Sequence, residues 1–444
     1  MTEFFLETVA IAAFIGTAMF VAAASARDSL HPAMVLGPML LFLYVGMPLY
    51  LYLNDGFFGF LTEGQLAFAQ LVNVVGVLAL LAGVLAGARG GAFVAGPRVW
   101  GVDGARLARA GTLVGILGVV GFVWGIFAVG GFQAAYGVSY GGGWSESGYV
   151  RELFLLTIPA ILMLLASGKV KRPGMARYWL ALFALPLLVH GALGARRGPL
   201  FVVLVTVAAG LYLVRNERPR AWLVLAGGAA LGVVLLLMVA NRDKIYIGSD
   251  FDLNVSPTAY MGPGGGNEFI YGSGTVVAVA ERNLFTWGGR YATVFFVRPI
   301  PRALWPDKYT WAADFFGINV ETNFGIDVDV IEDVLGWKGA VGAAPGIVAD
   351  LWFEFSWGMC IALFAIGFMY GRVWRRCVTT GGVSVVTYGA LLCLSLYLVM
   401  QTLEAMAFRF LFMAIPTWFA WRWARRRPAA ASSVETTLAP ATTR

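Results

Sequence analysis

Runs of about 20 apolar residues recur along the whole chain, and no other feature narrows its possible folds as much. Inside hydrocarbon a backbone must satisfy its own N–H and C=O groups, so only helices and closed barrels cross it. The runs are too long and continuous for barrel strands, which alternate in character over about ten residues. Charged residues make up 13% of the 444, where a water-soluble domain carries about a quarter. The pattern predicts an all-α, polytopic helical membrane protein.

Eleven spans are expected. Eight precede residue 241: Phe4–Ala24, Pro32–Leu53, Leu66–Ala88, Leu107–Val129, Leu153–Ser167, Tyr178–Leu193, Leu200–Val214 and Ala221–Ala240. Three follow residue 345: Gly346–Tyr370, Val383–Gln401 and Ala405–Trp421. The first run is preceded by Glu3 and contains Glu7, with no Lys or Arg, which favours an uncleaved helix over a signal peptide. The chain therefore divides into helices 1–8 (1–240), a large loop (241–345), helices 9–11 (346–427) and an Ala/Thr/Ser-rich tail (428–444) expected to be disordered.

Basic residues cluster in alternate connectors: Arg89–Arg109, Lys169–Arg177, Arg215–Arg220, Arg372–Arg376 and Arg422–Arg427. By the positive-inside rule these connectors face the cytoplasm, which puts the N-terminus and the 241–345 loop outside and the C-terminus inside. The formal charge of +7 comes largely from these connectors and does not imply a nucleic-acid partner. Cys360, Cys377 and Cys393 lie in or beside apolar segments, so no disulfide framework is expected.

One turn breaks the charge rule. Gly194-Ala195-Arg196-Arg197-Gly198-Pro199 falls on the outer side yet carries adjacent arginines. Such a pair either reaches for lipid headgroups or binds a diphosphate, because guanidinium forks match phosphate oxygens at two points. The glycines would let backbone approach a ligand closely. His190 lies seven residues before Arg197, about 10 Å along one helix face, and is either a packing residue or a base.

The 241–345 loop carries eight Lys/Arg and twelve Asp/Glu, and it is rich in aromatic residues, Gly and Pro. Gly274–Leu284 is expected to be a surface helix, with a second helix over Arg290–Val297. Three prolines prevent a continuous helix over Arg298–Lys308, so Arg298, Arg302 and Lys308 would stand beside Trp305. That set suits anionic or sugar ligands, or simply packs on helix ends. Asp327 and Asp329 form a weak divalent-metal pattern without further spaced ligands. The glycine run Gly262–Gly266 lacks the Lys-Ser/Thr of a phosphate loop. Asp350 and Glu354, one turn apart at a span's start, need a salt bridge or a functional reason to be there.

Three of these segments resemble the O-antigen polymerase (Wzy-type, oligosaccharide repeat-unit polymerase) family. They are the Gly194–Pro199 turn, Ile300-Pro301-Arg302-Ala303-Leu304-Trp305-Pro306-Asp307-Lys308, and Gly346-Ile347-Val348-Ala349-Asp350-Leu351-Trp352-Phe353-Glu354-Phe355. The second is similar to the family's Ile-Pro-Arg-x-x-Trp-Pro-x-Lys-Pro, with Tyr309 at the last proline. The third is similar to its Gly-x-x-x-Glu-Leu-Tyr-x-x-Phe, with Asp350 for the first Glu.

The resemblance implies a GT-C-like glycosyltransferase of the bacterial cytoplasmic membrane that needs no metal or other cofactor. Its donor would be a glycan on polyprenyl diphosphate and its acceptor a lipid-linked repeat unit, with a chain-length regulator and a flippase as possible protein partners. Arg196 and Arg197 would hold the leaving diphosphate. Arg298, Arg302 and more weakly Arg290 would contact a second diphosphate or the glycan, with Trp305 and Lys308 beside them. Asp350 or His190 would accept the hydroxyl proton. Two alternatives are a ligase-like transferase with a different acceptor and a lipid-linked oligosaccharide flippase. A flippase would be expected to show internal repeats, and none is visible.

Overall fold

The computed structural model describes residues 2–54, 60–96, 101–139, 152–171, 174–250, 252–253, 268–318, 328–338 and 343–425. Among these the structure is helical, with one isolated bridge between Val102 and Arg425 and no strand. Among the described residues nine helices are long and apolar enough to cross a membrane. Two shorter apolar helices, Glu152–Ala166 and Val383–Cys393, occupy the places of the fifth and tenth expected spans. The chain is thus a polytopic helical membrane protein. Asp327, Gly262–Gly266 and the tail from Pro428 lie outside the described residues.

The bundle is built around the helices Glu63–Ala88 and Met359–Thr379. Each carries a Gly-x-x-x-Gly pair, Gly83/Gly87 on one and Gly367/Gly371 on the other. A Cβ at Gly83 or Gly87 would run into the carbonyls of Phe364 or Phe368, and one at Gly367 or Gly371 into those of Leu80 or Val84. Backbone therefore lies on backbone. In hydrocarbon, where no water is released on contact, close packing of small residues is a main source of helix association. Thr2–Ala26 packs on the same Glu63–Ala88 helix, and Thr62 and Gln65 close that helix's start with a capping box.

Two expected spans are interrupted. Gly346–Tyr370 is two helices, Gly346–Phe355 and Met359–Thr379, parted at Ser356, whose φ is 50°. Val383–Gln401 divides into Val383–Cys393 and Ser395–Met400. The large loop departs further from expectation. Its helix spans Glu268–Arg282 and is buried almost throughout, whereas a surface helix over Gly274–Leu284 was expected. Small residues explain this: Gly272 abuts the Pro345 carbonyl and Gly274 abuts Leu335, so the helix can sit against its neighbours. Trp352 Nε1 donates to the Val276 carbonyl at 3.1 Å and fastens it to Gly346–Phe355.

The basic connectors meet at one end of the bundle. Asp28 accepts from Arg218 Nε at 2.5 Å and from Trp374 Nε1 at 2.8 Å. Asn216 Nδ2 donates to the Val94 and Gly96 carbonyls, and the Asp103 amide donates to the Ala424 carbonyl. Burial pushes His31 down to about 4 against the pull of Asp28, so its neutral Nδ1 accepts from the Ala33 amide. The opposite end holds Glu268, Arg290, the start of Gly346–Phe355 and the start of Leu403–Ala424.

Substituting Gly367→Leu should separate the central helix pair and lower the thermal unfolding midpoint in detergent sharply, by an overpacking cost of roughly 1–3 kcal/mol or more. The same change at Gly228, where an added Cβ meets nothing within 4 Å, should leave the midpoint nearly unchanged. Equal midpoints for the two variants would remove the glycine contact as the organising element.

Candidate functional site

Asp350 and Glu354 lie one helical turn apart, so both carboxylates leave the Gly346–Phe355 helix on one face. That face meets Arg290. The Arg290 Nε donates to Glu354 Oε1 at 2.5 Å, and its Nη2 donates to Asp350 Oδ1. Asp350 Oδ2 also accepts from the Tyr291 hydroxyl at 2.5 Å and from the Leu403 amide at 2.8 Å. Glu354 Oε2 accepts from Thr286 Oγ1 at 2.9 Å and from the Gly288 amide at 3.1 Å. Gly288 has φ 87°, a left-handed turn that brings its amide to the carboxylate.

This cluster is almost sealed: Arg290 is 4% exposed, Asp350 1% and Glu354 0%. Burial alone would make Arg290 easier to deprotonate, but Asp350, Tyr291 and Glu354 outweigh it and hold the guanidinium charged. Burial, then the charge on Asp350, pushes the Tyr291 phenol well above its ordinary value, so it stays a donor. Arg290 was expected to contact substrate and Asp350 to accept a proton. In the structure Arg290 is enclosed by protein and both Asp350 oxygens already accept hydrogen bonds. The geometry gives the pair an anchoring task, tying the 286–291 segment to Gly346–Phe355 and to the start of Leu403–Ala424.

A second group forms at the Gly194–Pro199 turn. Ala195 has φ 48°, and the Arg196 amide returns to the Gly191 carbonyl at 3.0 Å. Arg197 opens the Arg197–Arg215 helix and forms an ion pair with Glu268, the first residue of the buried loop helix. Gly194 and Gly198 were expected to admit a ligand, but protein fills the space: a Cβ at Gly194 would meet the His190 carbonyl and one at Gly198 the Tyr397 hydroxyl. His190 is buried, its Nδ1 lies 3.1 Å from the Tyr136 hydroxyl, and the Phe154 ring packs edge-on 5.3 Å away.

Arg409 completes this group and was missed in the sequence. Its guanidinium sits 4.3 Å from the centroid of the Tyr397 ring, and Nη1 donates to the Ala405 carbonyl at 2.7 Å. Among the described residues it forms no ion pair. A lone arginine inside the expected Ala405–Trp421 span was the available signal. Glu268, Tyr291, Tyr397 and Glu404 were also missed.

The proline segment forms a third group. Arg298 Nη1 donates to Glu404 Oε1 at 2.9 Å, next to the Leu403 amide that binds Asp350. Lys308, expected beside a ligand, is 2% exposed, and its ammonium donates to the carbonyls of Val297 (3.3 Å), Arg298 (2.7 Å) and Ile300. It fixes the turn. Arg302 is exposed over Tyr309, and Trp305 leans on Trp311, which stacks on Phe315 with 10° between the rings. Trp311, Phe315 and Leu304 are exposed, as is Phe296 earlier in the loop. No group of three or more His, Cys, Asp or Glu suited to a metal ion occurs among the described residues.

Removing Arg290 leaves two buried carboxylates uncompensated, whereas neutralising Glu354 leaves a one-to-one pair. Arg290→Met should therefore destabilise the protein by roughly 3–5 kcal/mol, and Glu354→Gln by less. The triple change Arg290→Met/Asp350→Asn/Glu354→Gln should recover part of the loss. Thermal unfolding in detergent ranks the three, and an Arg290→Met protein as stable as the parent would contradict the anchoring role.

In comparisons with known proteins, no family model, curated protein or solved structure matches this chain.

Proposed function

We propose that the chain is a membrane-embedded, GT-C-like glycosyltransferase that polymerises oligosaccharide repeat units carried on polyprenyl diphosphate. The observation that carries the reading is that the Arg196-Arg197 turn, through Gly198, and the Arg409 guanidinium both meet Tyr397, at the bundle end opposite the basic connectors. By the positive-inside rule that end lies outside the cytoplasmic membrane of a bacterium. The motif likenesses at 194–199, 300–308 and 346–355 support the same reading.

The acceptor's sugar hydroxyl attacks the donor's anomeric carbon, a new C–O bond forms, and the bond to polyprenyl diphosphate breaks. The negative charge that develops on the departing diphosphate is met by the guanidiniums of Arg196, Arg197 and Arg409. Each well-placed donor of this kind contributes a few kcal/mol. Arg197 is held by Glu268 and Arg409 by the Tyr397 ring, so both cations are positioned before substrate arrives. The hydroxyl proton passes to a base, for which the candidates are His190 beside Tyr136 and Asp350, both buried and hydrogen-bonded. Trp305, Trp311 and Phe315 offer flat faces on which sugar rings stack, with Arg302 at their edge.

Purified protein in liposomes, given lipid-linked repeat units without added metal, should yield lipid-linked glycans of increasing length on a gel. Arg197→Ala and Arg409→Ala should each reduce chain growth by 10²-fold or more, on the order seen for loss of one charge-stabilising donor. Translocation of the repeat unit without growth would point to a flippase. Transfer of the glycan only to a different lipid acceptor would point to a ligase.

A further inference from the structure

Two adjoining cavities open at the basic end, between Met359–Thr379, the start of Val383–Cys393 and the end of Leu403–Ala424. The larger, about 540 Å³, is lined by residues that include Arg376, Thr380, Ser384, Thr387, Trp421 and Arg425. The smaller, about 300 Å³, shares Val383, Trp421 and Arg425 with it and adds Trp418 and Arg422. They form one cleft. Among the described residues its lining includes three arginines and no Asp or Glu, and none of the three forms an ion pair.

The other polar groups of the cleft sharpen its preference. Thr380, Ser384 and Thr387 donate their hydroxyls to the carbonyls of Arg376, Gly381 and Val383, so they are already engaged. Gly381 and Gly382 take left-handed φ values of 66° and 69° and turn the chain directly into Val383–Cys393. Among the described residues no side chain caps that helix, so the Val383 and Ser384 amides and the positive end of its dipole belong to the cleft, while the Val385 amide donates to the Gly382 carbonyl. The donors on offer are guanidiniums and amides, which suit a phosphate.

One side of the cleft is apolar. The Arg422 guanidinium lies 5.2 Å from the Trp418 ring centroid, and Trp418 is half exposed. Leu411, Ile415, Phe419 and Trp423 continue the exposed apolar surface of the same helix. A free phosphate would satisfy the arginines alone. A ligand bearing both a phosphate and hydrocarbon satisfies the whole cleft, and basic pockets between membrane helices on the cytoplasmic side take such headgroups.

We propose that this cleft binds the phosphate headgroup of an anionic phospholipid, with Arg376 and Arg425 on the phosphate and Arg422 with Trp418 at the rim. The site lies at the opposite end of the bundle from the Arg196, Arg197 and Arg409 group and does not depend on the transferase reading.

The test is thermal unfolding of detergent-purified protein with phosphatidylglycerol, phosphatidylcholine or inorganic phosphate added at equal concentration. Phosphatidylglycerol should raise the midpoint, while the other two should not. Arg376→Gln/Arg425→Gln should lose about half or more of that rise, and Arg376→Lys/Arg425→Lys should lose less. Arg215→Gln/Arg220→Gln, at exposed arginines of the same end, should keep all of it. If the first pair folds poorly, Arg425→Gln alone serves the same comparison. An equal loss in the Arg215/Arg220 protein would reduce the effect to surface charge. The full rise with inorganic phosphate would make this a free-anion site. Either result, or no rise in the parent, overturns the proposal.

Discussion

A guanidinium gripped by two carboxylates inside an apolar bundle is the constraint on which the rest of this molecule turns. Arg290 cannot leave Asp350 and Glu354 without stranding charge in a sealed, low-dielectric site. Because Arg290 comes from the large loop, its capture brings that loop to the helix ends. Asp350 also takes the Leu403 amide, so the same cluster sets where the final helix begins. Glu404, the next residue, then meets Arg298. Three distant parts of the chain are thus fixed by one charged knot.

The same logic relates the two ends of the bundle. At the basic end Asp28 is the buried acceptor, joining Arg218 and Trp374 across connectors far apart in sequence. At the other end Glu268 holds Arg197, while among the described residues Arg409 meets the Tyr397 ring and a carbonyl of its own helix. Arg290, gripped by two carboxylates, and Arg218, which joins connectors far apart in sequence through Asp28, serve architecture. Arg376, Arg422 and Arg425 form no ion pair among the described residues and line the cleft proposed to bind a headgroup.

Much of the scaffold was legible because hydrocarbon imposes length and apolarity on every span. The eleven expected positions each carry an apolar helix, nine of them long enough to cross a membrane. The breaks were not legible: Ser356 takes a left-handed φ that nothing in its side chain calls for, and it divides an otherwise continuous run. The Arg196-Arg197 turn and the Asp350/Glu354 spacing were visible as charge out of place. Their partners were not, since Arg197–Glu268 and Arg290–Asp350 are separated by 71 and 60 residues, and such pairings arise only in the packed bundle. Arg409 was open to inspection as a charge within an apolar run. Lys308 misled because three backbone carbonyls, which leave no trace in residue types, take up its ammonium.

The proposed transferase requires the arginine group near Tyr397 to lie outside the membrane, and the proposed headgroup site requires the arginine cleft near Trp421 to lie inside. The direct measurement is thiol labelling of intact cells with a membrane-impermeant reagent, after Cys360, Cys377 and Cys393 are replaced by alanine. Single cysteines are then placed at the exposed positions 302 and 425. The account predicts labelling of Arg302→Cys in intact cells, and of Arg425→Cys only once the membrane is opened. Labelling of Arg425→Cys in intact cells, with Arg302→Cys protected, would invert the molecule and contradict the proposed transferase.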